Sequence, residues 1–562
     1  MRDPQFQQDW YTLAQQDPRV SIFQEPEFCL AWFDATDGLE EAILLTDRDP
    51  TSNALIGLMV LTQNFDTKKI QHAGAHQAIY DGWIATPEHQ ERFAEQAVEL
   101  VFEQFELREW VWRYLPPGSP YEWAKREKPT QAPWISQISP YPLPRWDLGD
   151  EDFFKRKAKS KRLRNYANRY RKQGNLHLET VTDPKEAERL LKVLVDWVDF
   201  RQGAIHHTLP FRADPSKFDF YLGLVVAGRG TRMTALKLDD RPLAIQIDSV
   251  DEKNKTLSLC LHGYDPAEGQ KSPGMILLSL LAQSLASEEY KLIDLTPGAK
   301  TWKDDFANDW YEGQRVELYG RYRSVAKQTG KRQFTNLARS FLRQAGIEPS
   351  EAKKQAKLLR STLRHGPKTL QQKITGNQGV RLYRLEVSSS VSSIGPAIQS
   401  ASVDPILAIL ELSERESKED HGRLLFDALK RFERGAIAYA HATQSHASHH
   451  PLTHLSWLHL PPTKFVPPPP QEESALARPM LNLCEHFDFD AQKDALLVIT
   501  YENDLDEDPV SVLTAAMTKV REMGLSDLYI AASPQHQATI RWLAARGIRI
   551  PLRNLTLEPS ED

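Results

Sequence analysis

The chain has 562 residues, of which 41% are hydrophobic and 26% are charged, and its formal net charge is −6 at pH 7. This composition is that of a globular protein; the acidic balance excludes nucleic-acid binding over the whole surface, and no run of eighteen uncharged apolar residues predicts a membrane span. The N-terminus lacks the apolar core of a secretory signal, and Cys29, Cys260 and Cys484 have neither disulfide nor zinc-ligand spacing, so we expect a cytoplasmic protein without metal.

Residues 1–148 are predicted to be a first domain in which strands and helices alternate. Apolar spacing predicts a helix over 93–105, and apolar or alternating runs predict strands over 41–45, 54–61 and 109–114. Strand pairs that alternate with helices indicate a mixed α/β fold. A turn in this region carries Asp81, whose carboxylate is expected, on the turn pattern alone, to bind its own backbone.

The densest charge on the chain opens a second predicted domain, residues 149–330. Ten lysines and arginines lie within 155–172. An amphipathic helix that stops near Gly174 is predicted, because one helical face carries Leu163, Tyr166 and Tyr170. The other face, which includes Arg164, is either a solvated cationic surface or a surface for an anionic acceptor, a membrane or tRNA.

The rest of the second domain alternates strands and helices. The predicted elements are a strand over 176–181, a helix over 185–200, a hairpin of strands 233–238 and 243–249, and a strand over 256–262.

Residues 271–310 are the most informative stretch. Ser272-Pro273-Gly274 opens a helix with an N-cap candidate and a proline at the first helical position, and apolar residues then recur at helical spacing over 275–285. Free amides and the positive end of the helix dipole favour a phosphate group there, although an ordinary capped helix on a sheet has the same pattern. A short buried strand with Asp294 and a loop with Lys303 follow.

This stretch resembles the signature of the CelD/BcsL acetyltransferases of cellulose and exopolysaccharide biosynthesis, a branch of the GNAT superfamily of acyl-CoA-dependent acyltransferases. The resemblance extends over roughly residues 20–325 and is carried by Tyr264-Asp265-Pro266, Ser272-Pro273-Gly274, Asp294, Gly298, Trp302-Lys303 and Trp310. Trp302 stands where the family usually has tyrosine. The usual GNAT phosphate motif, Arg/Gln-x-x-Gly-x-Gly/Ala, is absent, and the Ser-Pro-Gly variant takes its place.

The resemblance implies tandem GNAT-like domains with central mixed sheets flanked by helices, of which the first lacks a cofactor loop. It implies acetyl-CoA or another acyl-CoA as co-substrate, held by Gly269, Gln270, Lys271, Ser272, Gly274 and Met275. The acceptor is expected to be anionic or to contain a sugar, and polysaccharide-biosynthesis enzymes are expected partners. The candidate substrate-binding residues are Asp81, Arg164 and Trp302.

Acyl transfer from a thioester needs a base for the attacking group and donors for the developing oxyanion. Candidates lie where strands end: His262, Tyr264, Asp265, Asp294 and Lys303. Burial in an apolar strand would raise the pKa of the Asp294 carboxyl and suit it to act as a base, or Asp294 simply pairs with Lys303. Lys303 is expected to bind an anionic acceptor or the acyl carbonyl, and His262 is either a base or a structural residue.

The C-terminal part is predicted to hold a helical connector, residues 331–378, and a third domain, residues 379–562. Its predicted elements are strands over 380–385, 436–440, 455–460, 495–500 and 528–532, with helices over 422–432 and 510–523. Its ending is similar to the close of a GNAT domain, but it has no glycine-rich helix start, so we predict a degenerate copy. Six histidines over 441–459 lie in a Ser/Ala/Pro-rich turn without cysteines or carboxylates, which argues against a metal site.

Three classes of function follow from the sequence. The first is an acyl-CoA-dependent N- or O-acyltransferase acting on a polysaccharide precursor or another hydroxyl or amino acceptor. The second is a Fem-like aminoacyl-tRNA-dependent peptidyltransferase, which also joins two GNAT-like halves and would use the basic helix for tRNA. The third is a non-catalytic binding scaffold. Ser272-Pro273-Gly274 favours the first class over the second, and Asp294 with Lys303 favours an enzyme.

Overall fold

The computed structural model describes most of residues 1–320 and shorter segments beyond them. The described ranges are 1–105, 107–126, 133–158, 160–298, 301–320, 381–386, 400–402, 404–414, 418–433, 435–443, 452–459, 495–502, 510–525, 527–532, 539–541 and 543. These residues form two compact units. One lies within Met1–Val195, Phe211–Tyr264 and Ser272–Pro349, and the other within Asp196–Pro210, Asp265–Lys271 and Ser350–Asp562.

The first unit begins with a small antiparallel sheet and its helices. Its strands are β1 (Glu40–Arg48), β2 (Leu55–Asn64), β3 (Ile70–His72) and β4 (Ile84–Ala85), and its helices are α1 (Pro4–Gln16), α2 (Pro26–Ala35) and α3 (Gln90–Phe105). β2 is central because it pairs with β1, β3 and β4. A Cβ at Gly57 of β2 would approach the Phe93 ring to 2.5 Å, so glycine is what lets α3 pack against this sheet.

A second, eight-stranded sheet forms the body of the first unit. Its strands are β5 (Glu109–Trp112), β6 (Ile135–Asp147), β7 (Leu176–Val181), β8 (Thr231–Leu238), β9 (Arg241–Asp251), β10 (Thr256–Tyr264), β11 (Leu292–Asp294) and β12 (Asp309–Tyr319). Their order is β5-β12-β6-β11-β10-β9-β8-β7. β10 and β11 run parallel, and the other neighbouring pairs are antiparallel. The sheet therefore takes strands from both sides of residue 148.

Seven helices accompany the eight-stranded sheet in the described chain. They are α4 (Glu122–Lys125), α5 (Glu151–Ala158), α6 (Lys161–Arg171), α7 (Pro184–His206), α8 (Ser216–Ala227), α9 (Pro273–Ser287) and α10 (Thr301–Phe306). α9 contributes most to the core, because its apolar residues recur at helical spacing and meet the buried side chains of β8, β9, β10 and β11. Burial of each such leucine contributes about 1.5–3 kcal/mol to the hydrophobic free energy of folding.

The second unit contains a six-stranded sheet and three described helices besides the end of α7. Its strands, in the order β13-β18-β17-β16-β15-β14, are β13 (Arg381–Glu386), β14 (Ser400–Ser402), β15 (Ile437–Thr443), β16 (Leu452–His459), β17 (Ala495–Glu502) and β18 (Asp527–Ala532). Its helices are α11 (Pro405–Glu414), α12 (Lys418–Glu433) and α13 (Val510–Glu522). The apolar face of α13 packs on β16, β17 and β18 in a core around Leu497, Leu513 and Ile530.

The mixed α/β fold class predicted from the sequence is confirmed, and each strand or helix predicted within the described ranges overlaps an observed element of the same type. The basic segment differs, because it forms two helices rather than one. Ser160 has a non-helical backbone (φ −51°, ψ 130°) and its carbonyl accepts the amide of Arg164, so a new helix begins after it, although its side chain makes no capping hydrogen bond. The helix predicted over 185–200 continues to His206.

Several expectations concern residues outside the described ranges. These are the connector over 331–378 and, of the histidine-rich turn, His446, His449 and His450. His441 and His454 stand opposite each other in the register of β15 and β16. None of the described helices is long and apolar enough to cross a membrane.

Leu281→Ala should lower the free energy of unfolding of the first unit by about 3 kcal/mol, because it removes a fully buried α9 side chain and leaves a cavity. Leu100→Ala is the matched control: Leu100 is a helical leucine that is 45% exposed, and its loss should change the free energy by less than about 0.5 kcal/mol. Urea unfolding followed by tryptophan fluorescence measures both. Equal effects of the two substitutions would contradict the packing of α9.

Candidate functional site

The parallel strands β10 and β11 separate at their carboxyl ends. Their register covers three pairs, from Thr256 opposite Leu292 to Ser258 opposite Asp294. β11 ends at Asp294, whereas β10 continues to Tyr264. Ligands of open α/β sheets commonly bind in a crevice outside the carboxyl ends of parallel strands. The end of β11 is therefore where a functional group is expected, and a buried carboxylate lies there.

The Asp294 carboxylate is 4% exposed and receives hydrogen bonds from three parts of the chain. The Tyr80 hydroxyl donates to Oδ2 at 2.5 Å, the Thr296 amide donates to Oδ1 at 2.7 Å, and the Ser258 hydroxyl is 3.4 Å from Oδ2. Burial raises the pKa of the Asp294 carboxyl, and the donors, together with the charges of Lys303 and Arg145, offset part of that rise. A carboxyl with a raised pKa is suited to accept a proton from a substrate.

Lys303 holds the loop that follows Asp294. Its ammonium is buried and donates to the Thr296 carbonyl at 2.9 Å, the Thr296 hydroxyl at 3.1 Å and the Pro297 carbonyl at 3.2 Å. Thr296 has φ +66°, a left-handed conformation that costs a β-branched residue about 1–3 kcal/mol. Lys303 and Asp294 are therefore near each other, as expected. The charge of Lys303 lowers the pKa of the Asp294 carboxyl, and its hydrogen bonds hold the loop at Thr296 and Pro297.

The other predicted catalytic residues lie on β10, next to Trp302 of α10, whose ring centroid is 5.8 Å from the Lys303 ammonium. His262 is exposed, and its ring lies edge-on to Trp302, with 6.1 Å between the centroids. Trp302 and Tyr264 are half-buried against the core beneath α9. Asp294 faces the opposite side of the sheet, because its neighbour Ile293 belongs to that core and side chains alternate along a strand. The structure therefore groups Asp294 with Lys303 and groups His262 with Trp302.

The start of α9 differs in detail from the expected N-cap. Ser272 occupies the N-cap position in a left-handed conformation (φ 51°), and its side chain makes no capping hydrogen bond. Its carbonyl accepts the Met275 amide at 3.0 Å and the Ile276 amide at 3.2 Å. A Cβ at Gly274 would meet only Tyr264, at an ordinary contact distance of 3.5 Å. The absent side chain of Gly274 therefore leaves room beside the helix start.

Three residues of the predicted cofactor set come before this helix start, and they belong to the second unit. Gly269, Gln270 and Lys271 belong to a 3-10 helix, Pro266–Lys271. The Gln270 amide donates to the Glu433 carbonyl at 2.8 Å, and the Lys271 ammonium pairs with the Glu268 carboxylate at 2.7 Å. A phosphate contact by Lys271 would compete with this ion pair.

Asp81 and Arg164, the remaining predicted substrate residues, differ in exposure. Asp81 is buried, and its carboxylate accepts the Arg113 backbone amide at 2.6 Å and the Arg113 guanidinium at 3.2 Å. This pair joins the turn around Asp81 to the end of β5. Arg164 is exposed on α6, whose buried face is formed by Leu163, Ala167 and Tyr170.

Tyr80 and Asp248 are polar residues that the sequence reasoning missed. Tyr80 directly precedes Asp81 in the sequence, so the turn that drew attention to Asp81 could also have pointed to Tyr80. Asp248 is fully buried in β9, and the Gln246 amide donates to both of its oxygens at 2.8 Å. Burial raises the pKa of Asp248 well above its ordinary value, and the backbone amide of Cys260 offsets part of this rise by hydrogen bonding. Cys260 is the residue at which the register of β10 and β9 shifts.

No three His, Cys, Asp or Glu side chains gather into a potential metal site among the residues that the structure describes. The arrangement at Asp294 is thus one of hydrogen bonds and buried charges.

Residues 157–304 match the family model described as an acetyltransferase (GNAT) domain. The matched segment contains α9, Asp294 and Lys303, so the candidate site lies in a domain of GNAT acetyltransferase type. No curated protein has significant sequence similarity to the chain.

Solved structures similar to this chain include the following three. L-PGS from Bacillus licheniformis is 12% identical, with a TM-score of 0.39 over 58% of this chain and 94% of that one. FemX is 8% identical, with a TM-score of 0.38 over 57% and 98%. A tandem GNAT protein from the clavulanic acid biosynthesis pathway is 13% identical, with a TM-score of 0.34 over 56% and 95%. Similarities at this level carry no argument about ligand or reaction.

Asp294→Asn should make stability less dependent on pH. Because burial raises the pKa of this carboxyl in the folded protein, the unfolded chain ionises first as the pH rises, and stability is lost between the unfolded and the folded pKa. The free energy of unfolding of the variant minus that of the parent should therefore increase as the pH rises from about 4, the ordinary pKa of an aspartate, to the raised pKa of the folded carboxyl. Urea titrations across this range measure the difference, with the exposed Asp152→Asn as a control for loss of one charge. A decrease would contradict the burial effect.

Proposed function

We propose that this protein is an acyl-CoA-dependent acyltransferase of the CelD/BcsL type, with its active site in residues 149–330. The observation that carries the proposal is the buried, hydrogen-bonded carboxylate of Asp294 at the separating ends of β10 and β11. It lies within the segment that matches a GNAT acetyltransferase domain. The transferred group is proposed to be acetyl, and the acceptor a hydroxyl or amino group of a polysaccharide precursor or another small molecule.

The cofactor is proposed to bind with its diphosphate at the start of α9. Ser272, Gly274 and Met275 would hold it there, because the positive end of a fifteen-residue helix favours an anion and Gly274 has no side chain in the way. Gly269, Gln270 and Lys271 remain predictions from the sequence. When bound, an acyl-CoA supplies a thioester carbonyl for attack by the acceptor.

Asp294 is proposed to be the general base. Its carboxylate accepts the proton of the attacking hydroxyl or amine as the new C–O or C–N bond forms, and the proton is then available to the thiolate released when the C–S bond breaks. Lys303 keeps the strand-end loop in place and supplies positive charge near the carboxylate. His262 and Tyr264 remain candidates for contacts on the other side of β10.

The acceptor is proposed to be anionic or to contain a sugar, because a strongly cationic surface belongs to the same unit. Arg164 lies on this surface with the exposed side chains of Lys161, Arg162, Arg169, Arg171 and Lys172. Trp302 would offer a ring to a sugar, and Asp81 adjoins Tyr80 although its carboxylate is engaged by Arg113. A cytoplasmic location and polysaccharide-biosynthesis enzymes as partners belong to the same proposal.

The cationic surface also favours a second candidate function, a Fem-like aminoacyl-tRNA-dependent peptidyltransferase. Exposed arginines bind phosphate oxygens well, and α6 presents several of them on one face. A polyanionic co-substrate would then replace acyl-CoA.

Isothermal titration calorimetry with acetyl-CoA should give saturable heat for the parent protein. Gly274→Glu should abolish this heat, because a carboxylate at the helix start repels the diphosphate and fills the space beside Tyr264. Gly274→Ala is the matched control, since its methyl group makes only an ordinary contact and should leave the dissociation constant within about threefold. Retention of tRNA without heat from acetyl-CoA would instead support the peptidyltransferase. If neither acetyl-CoA nor tRNA binds, the non-catalytic scaffold is the class of function that remains.

Lys303→Met should lower the rate of thiol release from acetyl-CoA by about a hundredfold in the presence of acceptor, because it removes the buried positive charge but keeps the length of the side chain. The rate is measured with a panel of amino sugars and oligosaccharides as acceptors. Circular dichroism and the acetyl-CoA dissociation constant serve as controls for folding and cofactor binding. An unchanged rate would remove Lys303 from the mechanism.

A further inference from the structure

Tyr80 links the small N-terminal sheet to the candidate base. Its side chain is 3% exposed, and its hydroxyl donates to Asp294 Oδ2 at 2.5 Å across 214 residues of sequence. The chain reaches this position through the turn between β3 and β4, whereas Asp294 ends β11 of the eight-stranded sheet. The two residues therefore meet only in the folded first unit.

The backbone and ring of Tyr80 are held on several sides. Its carbonyl accepts the Gln24 side-chain amide at 3.1 Å, and the following amide, that of Asp81, donates to the Tyr114 carbonyl at 2.8 Å. Its ring lies edge-on to Phe23, with 6.2 Å between the centroids. The hydroxyl is thus delivered to Asp294 by a fixed turn, as a preorganised donor should be.

Several groups face the Asp294 carboxylate besides Tyr80. The loop after β11 contributes the Thr296 amide and the charge of Lys303, β10 contributes Ser258 and Cys260, and β6 contributes Arg145 and Tyr141. Burial keeps the pKa of Tyr80 well above its ordinary value, so the phenol stays protonated and acts as a donor at neutral pH. Its hydrogen bond favours the ionised form of the carboxyl.

We infer that Tyr80 is a positioning residue for acyl transfer, and that residues 1–148 take part in the chemistry through it. This inference rests on the proposed function. The phenol orients the carboxylate and keeps its own proton, while Asp294 accepts the proton of the attacking group. A purely structural role, in which the pair only joins two sheets, would change the stability of the protein but would leave the acidic limb of the kcat/KM profile in place.

The test compares Tyr80→Phe with Tyr221→Phe. Tyr221 is a matched control because it is also buried and its hydroxyl donates one hydrogen bond, to Gln77 at 2.9 Å, without contacting Asp294. Tyr80→Phe should lower kcat/KM by about tenfold or more and move the acidic limb of its pH profile to higher pH, since the carboxylate loses a donor. Tyr221→Phe should leave the limb in place, and both should bind acetyl-CoA like the parent.

An acidic limb that coincides with that of the parent would overturn the inference. A second measurement separates this failure from failure of the proposed function. In a double-mutant cycle of Tyr80→Phe and Asp294→Asn, the coupling free energy of unfolding should be larger above the pKa of the folded carboxyl than below it, because the phenol's hydrogen bond favours the ionised form. Zero coupling would also overturn the inference. If the cycle shows coupling but the parent protein neither binds acetyl-CoA nor transfers acetyl, the proposed function is refuted and Tyr80 is a structural residue.

Discussion

The desolvation of one carboxylate constrains the rest of the site. A buried carboxylate without partners is unfavourable by several kcal/mol, so the chain must bring donors to it from wherever they are available. Here they come from the turn before β4, from β10, and from the loop after β11. Tyr80, Ser258 and Thr296 are far apart in the sequence, and their convergence requires that the small sheet and the eight-stranded sheet form within one unit.

The order of the strands explains how that convergence is possible. β6, a strand from the N-terminal part of the chain, lies between β11 and β12 and pairs with β11 up to Asp294. Arg145 of β6 stands opposite both Asp294 and Asp309 in the sheet register. The Arg145 guanidinium forms an ion pair with the Asp309 carboxylate at 2.5 Å, and its charge lowers the pKa of the Asp294 carboxyl. The turn that holds Tyr80 is also fixed to the residue that follows β5, because Asp81 forms an ion pair with Arg113.

Local patterns in the sequence were sufficient for the elements, and they drew attention to Asp294 and Lys303, which the structure brings close together. The apolar spacing of α9 and the alternation in β8 and β9 depend on neighbours in sequence, and the motif around Asp294 and Lys303 is contiguous. The contact of Tyr80 with Asp294 depends on strand order and register, which no local pattern encodes. For the same reason the partner of Asp81 was missed, since Arg113 follows the end of β5 and lies 32 residues away in the sequence. The break at Ser160 was missed because the residues around it include no proline or glycine, the usual signals of a helix end.

The backbone conformation of Thr296 links the residue at position 296 to the residue at position 303. Its left-handed backbone is unfavourable for a β-branched side chain, and the ammonium of Lys303 compensates by binding the carbonyl and hydroxyl of the same residue. In this chain one lysine thus serves both the shape of the loop and the charge near the carboxylate. A lineage with glycine at position 296 would need no such clamp. In such a lineage selection could act on the lysine for its charge alone. The residues at positions 296 and 303 are therefore expected to change in a correlated way between lineages.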